Sequence, residues 1–389
     1  MPTRLTSAAI ERIHGAAEAQ IGDSRIPGLV ALVASGDDAH VEALGRLAVG
    51  GAPVARDSLF RIASTTKPIT AAATLAVIAE GALGIDDPVD RLLPELAERR
   101  VLRRMDGPLD ETVPAARAIT TRDLLTFTFG FGLVPEIFTA PTTWPVVTAE
   151  QALNLSSIGG PPDPSIQPAP DTWIANLGTL PLMAQPGERW LYNTGASVLG
   201  VLLARATGEP FADVLRTRVF EPLGMSDTAF WTADTQRLAT AYRPSRDGLV
   251  VWDEPDGTWS RPPAFGDGAA DLLSTADDLL TFARMLLGGG APVLSGEAVR
   301  EMTSPQLTEA QESHGGLLPG FFDHQSWGFL LAVHDSGAYT WDGGFGVSWL
   351  VDPANDLVVI VMTQRMFESP ALPQPHREIR AAAYSALAQ

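Results

Sequence analysis

The sequence predicts an α+β protein: a mostly antiparallel sheet flanked by helices, with a mainly helical domain inserted into it. Three observations carry this reading. Strand-like apolar runs lie near both ends of the chain, within 28–62 and 326–363. The stretch between, roughly 86–290, carries helical spacing and long Pro-rich loops. The C-terminal runs are joined by turns too short for a helical crossover, which selects antiparallel pairing. A sheet domain built from residues 1–85 and 295–389, with residues 86–294 inserted, satisfies all three.

The elements follow in order. Residues 6–20 have amphipathic helical spacing, with Ile10 and Ile13 on one face. Gly28–Ser35 and His40–Val49 read as strands joined across Gly36-Asp37-Asp38, a hairpin signal, and Ser58–Ile62 as a further short strand. A long apolar helix covers about Thr65–Glu80 and stops at Gly81. Helical spacing recurs in Leu92–Arg104, Thr121–Thr126, Ala196–Ala206, Phe211–Val219 and Ala276–Leu287. Strands return as Ser326–His334, Ala338–Trp341, Val347–Val351 and Leu357–Thr363, before a final helix at about 375–387. Between 139 and 190 lie Pro141, Pro145, Pro161, Pro162, Pro164, Pro168, Pro170, Pro181 and Pro186, with Trp144 and Trp173. A loop that long in a compact domain is functional or disordered, and two tryptophans favour a wall or lid over a site. No period of 20–50 residues repeats, so a solenoid is not expected.

Composition narrows the function. Of the 389 residues, 45% are hydrophobic and 19% charged, a soluble globular balance. The net charge of −19 repels phosphate and sets aside nucleic acids and anionic membranes. The absence of cysteine excludes disulfides, thiolate metal sites and a Cys nucleophile. No stretch approaches the ~20 apolar residues of a membrane span. The N-terminal MPTRLTSAAIERIHGAAEAQ lacks the apolar run of a signal peptide. A cytoplasmic location is therefore expected, provided Met1 is the natural start. Neither a P-loop nor a dinucleotide fingerprint is present. His314, His324 and His334 lie ten apart without a His-x-x-x-His pair, so no metal and no cofactor is expected. No Gly-x-Ser-x-Gly elbow offers an ordinary hydrolase triad.

The 27 basic residues are 26 arginines and one lysine, Lys67. Arginine stays protonated at any working pH, whereas a desolvated lysine can lose its proton. Lys67 lies in Ser64-Thr65-Thr66-Lys67 at the start of the long helix, three residues from Ser64, so both side chains share a face. A serine hydroxyl needs an adjacent base, which a neutral lysine can supply. The helix N-terminus adds free N–H groups and partial positive charge. Pro68 disfavours helical geometry at Lys67, so an irregular first turn is expected.

Ser64-Thr65-Thr66-Lys67-Pro68-Ile69-Thr70 and Gly84-Ile85-Asp86-Asp87-Pro88-Val89 resemble the serine hydrolases related to class C β-lactamases. The match continues through Asp123-Leu124-Leu125-Thr126 and Pro186-Gly187-Glu188-Arg189-Trp190-Leu191-Tyr192. It extends to Glu221-Pro222-Leu223-Gly224-Met225 and Trp341-Asp342-Gly343-Gly344. These marks keep their order over about 60–350, and within the group the chain is most similar to family VIII carboxylesterases. The resemblance implies a β-lactamase/D,D-peptidase-like fold. It implies Ser64 as the acylated nucleophile and Lys67 with Tyr192 as the proton-handling pair, without deciding which is the primary base. Tyr192 suits that role, because a phenol beside an ammonium can carry protons.

Thr194 stands where the β-lactamases often carry Asn, and is implied as a substrate contact. Trp341-Asp342-Gly343 replaces the Lys-Thr-Gly whose lysine helps hold a substrate carboxylate. A Trp cannot pair with a carboxylate but can pack against an acyl or alcohol group. Gly343 and Gly344 let backbone approach substrate, and the Gly344 and Ser64 N–H groups are implied as the oxyanion hole. The implied activity is a serine esterase that hydrolyses small, neutral, short-chain esters through an acyl-enzyme. A β-lactamase or D,D-peptidase-like amide hydrolase and an acyltransferase are the alternatives. A non-catalytic binding protein is disfavoured by the co-occurrence of Ser64, Lys67 and Tyr192.

Overall fold

A computed structural model describes residues 5–140, 142–158 and 160–387. Residues 1–4, Pro141, residue 159 and the last two residues lie outside the described ones. The sheet has seven strands: β1 (Gly28–Ser35), β2 (Asp38–Gly45), β3 (Gln325–Trp327), β4 (Ala332–His334), β5 (Tyr339–Gly343), β6 (Val347–Asp352) and β7 (Leu357–Thr363). Their order is β2-β1-β7-β6-β5-β4-β3, antiparallel throughout. Both ends of the chain thus build one sheet.

β1 reads GLVALVAS and is buried along its whole length, because helices cover both faces of the sheet there. Leu29, Ala31 and Val33 face α1 (Ser7–Glu18) and α5 (Gln374–Leu387), in a core with Ile13, Ala17 and Ile379. Val30 and Leu32 face the larger core, which holds Ile360, α4 (Ala276–Leu287) and α2 (Thr66–Ala79). No helix among the described residues is long and apolar enough to cross a membrane.

Most expected elements are present, with four departures. β2 ends at Gly45, not Val49: Gly45 has φ +76°, and a Cβ there would stand 2.2 Å from the Pro27 carbonyl, so the chain turns away. Leu92–Arg104 is not a helix: after a short turn at Val89–Arg91 it holds one further turn, Pro94–Leu96, and a strand, Arg100–Leu102, paired with Thr112–Pro114. Pro94 holds Leu93 out of helical geometry, and Glu98 is left-handed at φ +48°. Ser326–His334 is a hairpin of β3 and β4, turned at Leu330 with φ +57°. Lastly, the Pro-rich stretch 139–190 carries two helices, Pro145–Ala152 and Pro170–Thr179, each opening on a proline. Proline at a first helical position is a start signal, since its missing N–H had no partner to lose.

Candidate active site

Ser64 sits in a tight turn, Ala63–Thr65, that runs into α2. Lys67 itself is helical, contrary to the expectation from Pro68, because the proline falls in the first turn of α2 where its missing N–H has no partner to lose. Across the junction of turn and helix, residues three apart share a face, and Lys67 Nζ comes to 2.9 Å from Ser64 Oγ. Ala63 is left-handed at φ +42°, a conformation costly for a residue with a Cβ. The turn is braced by close packing: a Cβ on Gly343 would stand 2.0 Å from the Ile62 carbonyl. Gly343 therefore lets β5 close on the nucleophile's own turn, and its bare Cα faces that turn. Gly343→Ala is expected to cost at least roughly 1–3 kcal/mol of stability by overpacking, measured by denaturant unfolding.

Tyr192 reaches the same oxygen, with Oη 2.8 Å from Ser64 Oγ. Its backbone pairs with Leu133, N to O at 3.0 Å and O to N at 2.8 Å. The chain then passes through Asn193 at φ +84°, ψ −64°, a strained γ-turn closed by Thr194 N–H on the Tyr192 carbonyl, and enters α3 (Thr194–Thr207). Asn193 Nδ2 donates to the Ser157 carbonyl at 3.1 Å, so the 139–190 segment touches the residue after Tyr192. Thr194 itself is fully buried in the first turn of α3, and its hydroxyl faces no opening. The expected substrate contact there is replaced by packing.

Trp341 also departs from a simple apolar wall. It is 8% exposed, and its indole N–H donates to Tyr192 Oη at 3.0 Å. Its ring packs edge-on to Trp327 at 4.6 Å and near Phe321 at 6.3 Å. Its neighbour Asp342 pairs instead with Arg380 of α5 at 2.5 Å. Gly344 is exposed, and a Cβ on it would meet nothing within 4 Å. Ser64 is half-buried.

Lys67 is fully buried, its Nζ 2.8 Å from the Ala269 carbonyl and 4.6 Å from the centre of the Tyr192 ring. Burial lowers its amine from the ordinary lysine range to about 7, against the opposing pull of Asp267 and Asp271. Burial raises the Tyr192 phenol, so it stays protonated at neutral pH. The sequence analysis missed Ala269 and its loop. The run Gly266-Asp267-Gly268-Ala269-Ala270-Asp271 held the signal, small residues that let backbone approach a helix.

A buried lysine and a tyrosine converging on one helix-start serine define a class, the β-lactamase-fold serine hydrolases. The chain belongs to the Beta-lactamase family, whose model matches residues 13–384. It is 38% identical over 333 residues to Protein Rv1367c of Mycobacterium tuberculosis, covering 81% of this chain and 79% of that one. It is 31% identical to Esterase EstB of Burkholderia gladioli, covering 92% and 91%. Among solved structures it is similar to EstCE1, described as a hydrolase with promiscuous acyltransferase activity: TM-score 0.79, 25% identity, 97% and 98% coverage.

Proposed function

We propose that this protein is a serine esterase of the family VIII type, hydrolysing small neutral carboxylic esters through an acyl-enzyme on Ser64. The observation that carries this is the direction of the hydrogen bonds around Oγ. An indole N–H can only donate, so Tyr192 Oη accepts from Trp341 and turns its own hydrogen toward Ser64. Lys67 Nζ also donates to Ser64 Oγ at 2.9 Å, and once the amine is neutral its lone pair can instead accept the Ser64 hydrogen over the same contact. Lys67 is thereby the base and Tyr192 the acid.

In acylation, the Ser64 proton passes to Nζ as Oγ attacks the ester carbonyl, and the Ser64 and Gly344 N–H groups receive the developing oxyanion. Tyr192 protonates the departing alkoxide. Deacylation runs the same path in reverse with water: the Tyr192 phenolate takes the water proton, and Lys67 returns its proton to Oγ. The half-buried Phe321 and Phe322 beside Trp190 and Trp341 favour an apolar acyl or alcohol group. Trp341, standing where a carboxylate-binding lysine would be, disfavours anionic lactams.

Trp341→Phe keeps an aromatic side chain, though a smaller one, and removes the donor. It is expected to lower kcat roughly five- to tenfold, the worth of one hydrogen bond of about 1–1.5 kcal/mol, measured with a short-chain ester. The functional reading itself is tested by a panel of p-nitrophenyl esters of rising acyl length beside a carboxylate-bearing β-lactam, with and without an added alcohol. Turnover of short neutral esters and none of the lactam is expected. Lactam hydrolysis at matching kcat/KM, or transfer to the alcohol in preference to water, would move the assignment to one of its alternatives.

A further inference from the structure

The Lys67 amine is fully buried, yet its partners are the Ser64 hydroxyl, the Ala269 carbonyl and a tyrosine ring face, none of them an anion. The carbonyl is delivered by the loop 266–271 lying along α2, where Thr70 Oγ1 donates to Gly268 O at 2.7 Å. That loop is fixed from behind by one carboxylate. Asp267 Oδ1 accepts the Ala269 N–H at 2.8 Å, and its Oδ2 accepts Gln167 Nε2 at 3.0 Å. Both side chains are buried. Gln167 comes from the Pro-rich 139–190 segment, where its Nε2 also reaches the Leu155 carbonyl at 3.2 Å. Trp173 Nε1 donates to that carbonyl too, at 2.9 Å.

A second buried carboxyl, Asp271, accepts the Asp267 N–H at 3.2 Å. Burial, then the adjacent Asp267 and the more distant Asp163, push Asp271 well above the usual carboxylate range. Asp267, by contrast, has an N–H donor on each of its two oxygens. Around Nζ lie Ser64 from its own turn, the Ala269 carbonyl and Tyr192 just before α3, while Asp267 and Asp271 of the loop act on the amine by charge.

We propose that Asp267 is a positioning residue for Lys67: clamped between Gln167 and the Ala269 N–H, it aims the Ala269 carbonyl at Nζ and supplies the buried negative charge that the amine feels. The proposal rests on the reading of Lys67 as the base. An anion nearby favours the ammonium, so Asp267 opposes burial and holds the amine's titration near neutral pH. Without it the amine would lose its proton at lower pH.

The test reads the amine directly. Protein grown with ¹³C-lysine carries one labelled side chain, so its Cε signal, titrated by NMR, reports Lys67 alone. Asp267→Asn keeps an acceptor for the Ala269 N–H and removes the charge. It is expected to move the midpoint down by about one unit, with the acid limb of kcat/KM moving with it. Asp267→Asn/Asp271→Asn, which leaves no carboxyl to take over the charge, is expected to shift it at least as far. Gln167→Met leaves the loop sequence intact, removes the donor and is expected to shift the midpoint the same way by less. Midpoints unmoved in these variants would overturn the proposal; if the Asp variants do not fold, an unmoved midpoint in Gln167→Met does so alone. A wild-type midpoint near the ordinary lysine value of about 10.4 would overturn the base reading instead.

Discussion

Lys67→Arg is expected to lose at least roughly 10²-fold in kcat/KM while remaining folded. The substitution keeps the positive charge, so electrostatic support of an oxyanion survives in part. What it removes is the capacity to accept the Ser64 proton, because a guanidinium stays protonated at every working pH. The reference values, about 10.4 for Lys and at least 12.5 for Arg, move the equilibrium by two units or more, about 3 kcal/mol. The wild type supplies a companion result. With the amine at about 7, kcat/KM should rise with pH through that value, since only the deprotonated amine accepts the proton. The Arg variant should lack that limb. Near-normal turnover in the folded Arg variant would remove Lys67 as the base and leave Tyr192 in its place.

Tyr192→Phe is expected to lower kcat by about 10²–10⁴-fold, the usual worth of general acid–base help. Phe keeps the ring face that Lys67 Nζ approaches and the edge contact with Phe127 at 5.4 Å. It also leaves the Trp341 N–H buried without an acceptor, which costs about 1–3 kcal/mol of stability. Activity is therefore compared at temperatures where the variant is fully folded. Leaving-group dependence separates the acid role from packing. A p-nitrophenyl ester leaves as a stable anion, whereas an alkyl ester needs its oxygen protonated. The loss should be larger for the alkyl ester, and equal losses on both would argue that Tyr192 only packs.

Much of the site is legible in the sequence because its chemistry is local. Ser64 and Lys67 lie within one turn, and a lone lysine among 26 arginines marks itself. The sheet is legible for a similar reason: β1 and β7 are continuous apolar runs, buried on both faces. What the sequence hides is set by contacts distant in the chain. The Trp341 N–H meets Tyr192 across 149 residues, and the Ala269 carbonyl meets Lys67 across 202. No local pattern announces either. Thr194 was misplaced because its position in the motif suggests a substrate contact, while the strained turn at Asn193 folds it into α3. The helix expected over Leu92–Arg104 failed on Pro94, and the two helices within 139–190 were masked by prolines that in fact start them.

The central claim, that Ser64 is the nucleophile which Lys67 and Tyr192 serve, is tested most directly by trapping it. A fluorophosphonate reacts with an activated serine, and proteolysis with mass spectrometry locates the adduct. One adduct on the peptide containing Ser64 is predicted, with none in Ser64→Ala and slow formation in Lys67→Arg. An adduct on another residue, or an unlabelled protein that still hydrolyses esters, would contradict the account.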